Sequence, residues 1–163
     1  MSETSTIRQA LSTCRTIAVV GLSAQWHRPS HFAAKYMQEH GYRIIPVNPQ
    51  VSEVLGERCY PSLIDIPHRV DLVDVFRKTD DVLPIAQQAI RIGAKGFWQQ
   101  LGVLNREADE LVRHAGLLAV MDRCVKIEHA RLFGGLNWVG VDTKVISAKR
   151  ALAAPRWDGP QDD

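Results

Sequence analysis

Thr16-Ile17-Ala18-Val19-Val20-Gly21-Leu22-Ser23, followed by Arg28-Pro29-Ser30, is the stretch whose reading decides the fold. Ile17, Val19 and Val20 are apolar on both sides of the period-2 alternation, as in a strand covered on both faces inside a parallel sheet. Gly21 ends the strand sharply and lets a ligand come close to the main chain. A valine there is expected to block that approach and leave the fold intact. Pro29 suits the first position of a helix, where its missing N–H costs nothing. Phe32, Ala33, Tyr36 and Met37 then repeat at helical spacing up to the stop at Gly41. A strand, a glycine loop and a helix start aim free N–H groups and a positive dipole end at one place, which favours phosphate. Arg28 beside that start adds a guanidinium suited to phosphate oxygens. A purely steric glycine and a solvated arginine explain the same residues, and both readings stand at this point.

Outward from that unit the pattern repeats. Ser5 to Cys14 reads as a short amphipathic helix capped by Thr4 or Ser5. Tyr42 to Val47 is a second strand, in which Pro46 points to a strand end or a sheet edge, and Asn48-Pro49 turns the chain. Pro61-Ser62-Leu63 opens a helical turn, and Asp71 to Phe76 is a third strand. Asp80 to Ile92 is a helix stopped by Gly93, and Gly96-Phe97-Trp98 is a fourth strand. Asn105 to Ala115 is a helix, Leu117 to Val120 a fifth strand, and Asp122 to Leu132 a turn and short helix. Strands alternating with helices predict an α/β protein with a parallel sheet covered on both faces. Strand order stays open.

Such sheets take ligands beyond the carboxyl ends of their strands, where the strand order reverses. The residues to watch are therefore Gly21, Leu22 and Ser23 with Arg28, Pro29 and Ser30; Asn48 and Pro49; Val75, Phe76, Arg77 and Lys78; Gln99, Gln100 and Gly102; and Asp122, Arg123 and Cys124. Arg28, Arg77 with Lys78, and Arg123 gather positive charge on one rim, which suits a phosphorylated small molecule. An NAD site would place a carboxylate after the second strand, where this chain has Val47-Asn48-Pro49. That argues against NAD and leaves NADP open. No GxxxxGK[ST] is present for ATP.

Composition bounds the rest. The 163 residues suit one domain, expected over 1–150 with a core of about 16–132, and a flexible tail over 151–163 rich in Pro, Gly and Asp. A net charge of +2 implies no broad nucleic-acid face. No apolar run is long enough to cross a bilayer, and the first residues lack the signature of a signal peptide. Cys14, Cys59 and Cys124 are scattered without CxxC spacing, as in a reduced, cytoplasmic protein without disulfides or zinc.

Five segments in register, VGLS-x4-RPSH, YRIIPVNP, VDLVDVFRK, GFWQQLGV and MDRCVKIEH, resemble the CoA-binding Rossmann-like family, including its small stand-alone, YccU-like members. They are also similar to the CoA-binding domain of the succinyl-CoA synthetase alpha subunit. The resemblance covers Thr16 to Leu132 and implies a Rossmann-like three-layer sandwich with a mainly parallel five-stranded sheet. It implies coenzyme A or an acyl-CoA as ligand. Gly21, Leu22, Ser23 and Arg28 would hold the pyrophosphate, with Pro29 and Ser30 opening the helix. Asn48 and Pro49 would border the nucleotide, and Val75, Phe76 and Arg77 with Lys78 the adenine end. Gln100 and Gly102 would line the floor, and Arg123 and Cys124 would close the far side. The family pattern W-L-Q-x-G has Gln99 in place of leucine here, so either glutamine could face the ligand.

Catalytic candidates are few. His129 beside Glu128 could act as an acid–base pair or fix a turn. Cys124 beside Arg123 could be a thiolate or plain packing. Asp122, Cys124 and His129 lack a fourth partner for a metal. A synthetase would need a second domain, for which this chain is too short. The reading is therefore non-catalytic binding of CoA by a small cytoplasmic protein, with no nucleic acid, membrane or identified protein partner. The alternative is an NADP-linked oxidoreductase or a ligase-type subunit working with another chain.

Overall fold

The computed structural model describes residues 2–134. The expected tail at 151–163, and the end of the expected domain, lie outside these described residues. β1 (Thr16–Val20) sits between β2 (Arg43–Val47) and β5 (Leu72–Val75), and β6 (Gly96–Gln99) and β7 (Leu118–Val120) complete the sheet in the order β2-β1-β5-β6-β7. Every pairing within it is parallel. This is the five-stranded α/β sheet that the alternation of elements predicts.

Side chains alternate across β1 and build two cores. Ile17 and Val19 pack into one with α1 (Glu3–Thr13), α2 (Pro29–Glu39) and α5 (Val125–Phe133). Ala18 and Val20 pack into the other with α3 (Val82–Arg91) and α4 (Arg106–His114). Helices on both faces are what a strand without a polar side requires.

The ends of the elements have local causes. Ser2, rather than Thr4 or Ser5, caps α1 by accepting from the Ser5 N–H at 3.1 Å. Pro46 lies on the edge strand β2, where a missing N–H breaks no ladder. Its carbonyl instead accepts from Tyr60 N–H at 3.0 Å, and Tyr60 in turn accepts from Asn48 N–H at 2.9 Å. That chain partly closes the edge. At the amino end of the sheet, the Asp71 carboxylate accepts from the Arg15 and Thr16 amides at 2.9 and 3.2 Å and ties the α1–β1 connection to the start of β5. Burial raises its pKa, but those two amides and the charges of Lys95 and Arg69 outweigh burial and hold it below the usual carboxylate value.

One element was absent from the sequence reading. β3 (Glu53–Val54) and β4 (Glu57–Arg58) form an antiparallel hairpin around Leu55-Gly56. Both turn residues have positive φ, at 56° and 77°, as a tight two-residue hairpin requires. Leucine is an unusual choice for the first of these positions, so the turn carries no Asn-Gly or Asp-Gly signal.

Candidate functional site

After β2 the chain crosses to the other side of β1, so strand order reverses between β1 and β5. The crevice beyond the carboxyl ends of these two strands is where an open α/β sheet takes a ligand. Gly21 and Phe76 are the first residues past those ends. Gly21 has φ +90°, donates its N–H to the Val47 carbonyl at 2.8 Å, and lies directly against its neighbour. A Cβ there would fall 2.7 Å from the Phe76 carbonyl oxygen and 2.9 Å from Arg77 Cδ. The glycine is therefore required by the fold itself. The expectation that a valine would leave the protein folded does not survive this contact.

The loop from Gly21 to α2 is held largely by its own groups. Leu22 is fully buried, so only its backbone faces the loop. Its carbonyl accepts from Asn48 Nδ2 at 2.9 Å, while Asn48 Oδ1 accepts from Gln50 N–H at 2.8 Å. Asn48 thus joins the ends of β1 and β2, and exposed Pro49 follows it on the rim. Ser23 donates its N–H to Ser30 Oγ at 3.0 Å, and its carbonyl accepts from His31 Nδ1 at 3.0 Å. Ser30 is buried by this role. At the start of α2, His31 and Phe32 both donate their N–H groups to the Arg28 carbonyl. Pro29 has no N–H, which leaves the Ser30 amide for an anion at this end. Arg28 is exposed and, among the described residues, makes no ion pair.

The other cations divide. Arg77 is 42% exposed and reaches Asp81 only at 3.6 Å, a pair worth little at a surface. Lys78 is exposed beside it. Arg123 instead gives one arm of its guanidinium to Glu3 at 2.9 Å and the other to the Asp122 carbonyl at 2.9 Å. It pins the start of α1, whereas Arg28, Lys78 and the weakly paired Arg77 stand exposed on the rim.

Both glutamines have structural partners. Gln99 is fully buried and exchanges two hydrogen bonds with the Asn105 backbone, at 2.8 and 3.0 Å, closing the loop into α4. Gln100 Oε1 accepts from the Val125 N–H at 3.0 Å and caps the start of α5. That bond draws the α5 N-terminus to the end of β6. Gly102 donates its N–H to Asp122 Oδ1 at 2.8 Å. Cys124, half-buried, is the residue that precedes α5.

His129 does not pair with Glu128, which binds Arg131 instead. Its ring is buried between α2 and α5, with Nδ1 hydrogen-bonded to the Tyr36 hydroxyl at 3.0 Å, edge-to-face with Tyr42 and His40 and tilted against Phe133. Burial, then the charge of His40, pushes its pKa down to about 4. A neutral, enclosed histidine of this kind is packing.

On the α3 side of the crevice, Val20, Val47, Pro49, Pro61, Ser62, Leu63, Arg77, Ile85 and Gln88 line a cleft of about 140 Å³. A pocket for a whole drug-sized ligand has roughly 300–1,000 Å³. This one suits a single ring of a larger molecule lying across the rim. Its walls are mostly apolar, with Ser62 and Gln88 as neutral polar members and Arg77 as the one cation among its lining residues. Val75 is buried beneath, and half-buried Phe76 turns toward the opposite core.

Asp74 was not singled out in the sequence, although a carboxylate inside the run Leu72–Phe76 is a signal. It lies on β5 between Val19 and Trp98, 1% exposed, and its Oδ1 has no hydrogen-bond partner among the described residues. Burial raises its pKa well above 3.8. The folded state therefore holds a proton that the unfolded chain releases above that value, and the stability this proton gives is lost as pH rises toward the folded pKa. Relative to Asp74→Asn, the parent should lose up to about 1.4 kcal/mol per pH unit as pH rises above about 4. Urea melts between pH 4 and 8 measure the slope; parallel curves for the two proteins would contradict the assignment.

Residues 15–130 match the family described as "CoA binding domain". The chain is 40% identical over 124 residues to the uncharacterised protein YneT of Bacillus subtilis, covering 76% of this chain and 92% of that one. It superimposes on the structure of a hypothetical protein from Pyrococcus horikoshii with a TM-score of 0.78 and 42% identity, covering 82% of this chain and 94% of the other. It is also 30% identical over 84 residues to an ADP-forming acetate–CoA ligase of Archaeoglobus fulgidus, covering 50% of this chain but only 12% of the ligase. A match spanning this whole sheet and the crevice at its switch point shows that the chain belongs to the CoA-binding domain family.

Proposed function

We propose that the protein binds coenzyme A or an acyl-CoA without catalysing a reaction on it, as a small cytoplasmic binding module. The observation that carries this reading is the apolar cleft walled by Arg77, directly beside the Gly21 turn. An adenine ring fills the cleft between Val20, Val47, Pro49 and Leu63, and Arg77, with Lys78 in support, faces the ribose 3′-phosphate. The pyrophosphate lies over Gly21, Leu22 and Ser23, against the Ser30 amide and the Arg28 guanidinium. The thiol arm then runs over the rim formed by Gln100, Gly102 and Cys124. Arg123 acts by fixing that rim to Glu3 rather than by touching phosphate.

Family membership supports the ligand, and so does the charge of the rim, since three exposed cations, Arg28, Arg77 and Lys78, suit a molecule with three phosphate groups. For catalysis, the candidate histidine is enclosed and neutral. Thermal melts provide the test. CoA should raise Tm and NADPH should not; a larger rise with NADPH would favour an oxidoreductase instead.

A further inference from the structure

The side of the rim away from the adenine cleft carries exposed apolar side chains that the phosphates and the adenine leave unused. Trp26, in the loop between Gly21 and α2, is 72% exposed. Phe32 in the first turn of α2 is 49% exposed, and Ile127 in the first turn of α5 is 52% exposed. The two helix starts are neighbours, because the Lys126 ammonium lies 5.8 Å from the centre of the Phe32 ring. Both starts stand at the carboxyl edge of the sheet: α2 follows β1 directly, and Gln100 fixes the first amide of α5 to the end of β6. A single exposed leucine or phenylalanine is ordinary. Three large apolar side chains on one loop and two adjoining helix starts, all at the carboxyl edge of the sheet, form a surface that water covers poorly.

The path of the ligand points to what covers it. The cleft with Arg77 opens on the α3 face, whereas α2 and α5 pack on the opposite face. A molecule with its ring in the cleft and its phosphates over Gly21 crosses the sheet edge and leaves toward α2 and α5. We propose that this surface seats the aliphatic chain of an acyl thioester, so that the preferred ligand is a medium-chain acyl-CoA rather than free CoA or acetyl-CoA. The inference rests on the CoA reading of the crevice and adds the class of acyl group. Apolar burial scales with the surface removed from water, so affinity must then climb with chain length.

Calorimetric titrations with CoA and with acetyl-, butyryl-, hexanoyl- and octanoyl-CoA test this on the unmodified protein. Each seated methylene should tighten binding roughly two- to fourfold, and octanoyl-CoA should exceed acetyl-CoA by at least about tenfold. Phe32→Ala with Ile127→Ala, both exposed positions, should flatten that gradient and keep affinity for free CoA within about twofold. If CoA binds and the acyl series is flat or declining, this inference falls while the CoA site stands. If neither CoA nor any acyl-CoA binds, the CoA reading falls and takes the inference with it. If the double variant keeps the gradient but changes the mass of the protein in solution, the surface is a contact between copies, and the acyl proposal is overturned.

Discussion

Gly21→Ala should cost the protein about 2–5 kcal/mol of stability, enough to lower Tm by at least about 4 °C. Two terms add. An L residue at φ +90° is strained whatever the space around it, by about 1–2 kcal/mol. The new Cβ would also meet the Phe76 carbonyl at 2.7 Å, a backbone atom held in place by the Phe76 N–H bond to Val20 O at 2.8 Å. Overpacking of this kind costs about 1–3 kcal/mol. Gly102→Ala separates the terms, because its φ is +89° but nothing lies within 4 Å of the added Cβ. That variant should lose only the first term. Equal losses in the two variants would mean that contact with Phe76 does not matter, and that the turn is glycine for its backbone angle alone.

Arg77→Ala should remove the discrimination between CoA and dephospho-CoA. The ligands differ by one ribose 3′-phosphate, and a hydrogen bond to a charged group contributes roughly 1.5–3 kcal/mol, or about 10- to 150-fold in affinity. The parent should bind CoA tighter by such a factor. Its Asp81 contact, long and exposed, leaves Arg77 available for this role. Arg28→Ala should weaken both ligands alike, because both keep the pyrophosphate. An Arg77→Ala variant that still prefers CoA would move the adenine end away from the cleft beside Val20 and Val47.

The strand, glycine turn and helix start were legible because each is a local event: an apolar run, a residue tolerant of positive φ, and a proline at the first helical position. Pro46 likewise reports its edge position through one missing N–H. Strand order was not legible, since the register of β1 against β5 depends on a crossing that no local pattern encodes. The hairpin at Leu55-Gly56 escaped because its first turn residue is not one that favours positive φ. Within the site, residues after the strands were found, but their partners were not. Arg123 meets Glu3, and Gln100 meets Val125, across long stretches of chain. Arg123 stands among the phosphate cations by its position alone, and no local pattern announces its ion pair with Glu3. The cleft was invisible for the same reason, being built from Val20, Val47, Leu63 and Ile85 on separate elements. Asp74 could have been noticed as the one charge in Leu72–Phe76, but its lack of a partner is a property of three dimensions.

Whether the crevice at the β1–β5 switch point holds coenzyme A is a question of affinity. Calorimetric titration of the unmodified protein with CoA, dephospho-CoA and NADPH, in one buffer, tests it most directly. CoA should bind saturably, dephospho-CoA more weakly by about 10-fold or more, and NADPH more weakly still. No heat with CoA, or tighter binding of NADPH, would contradict it.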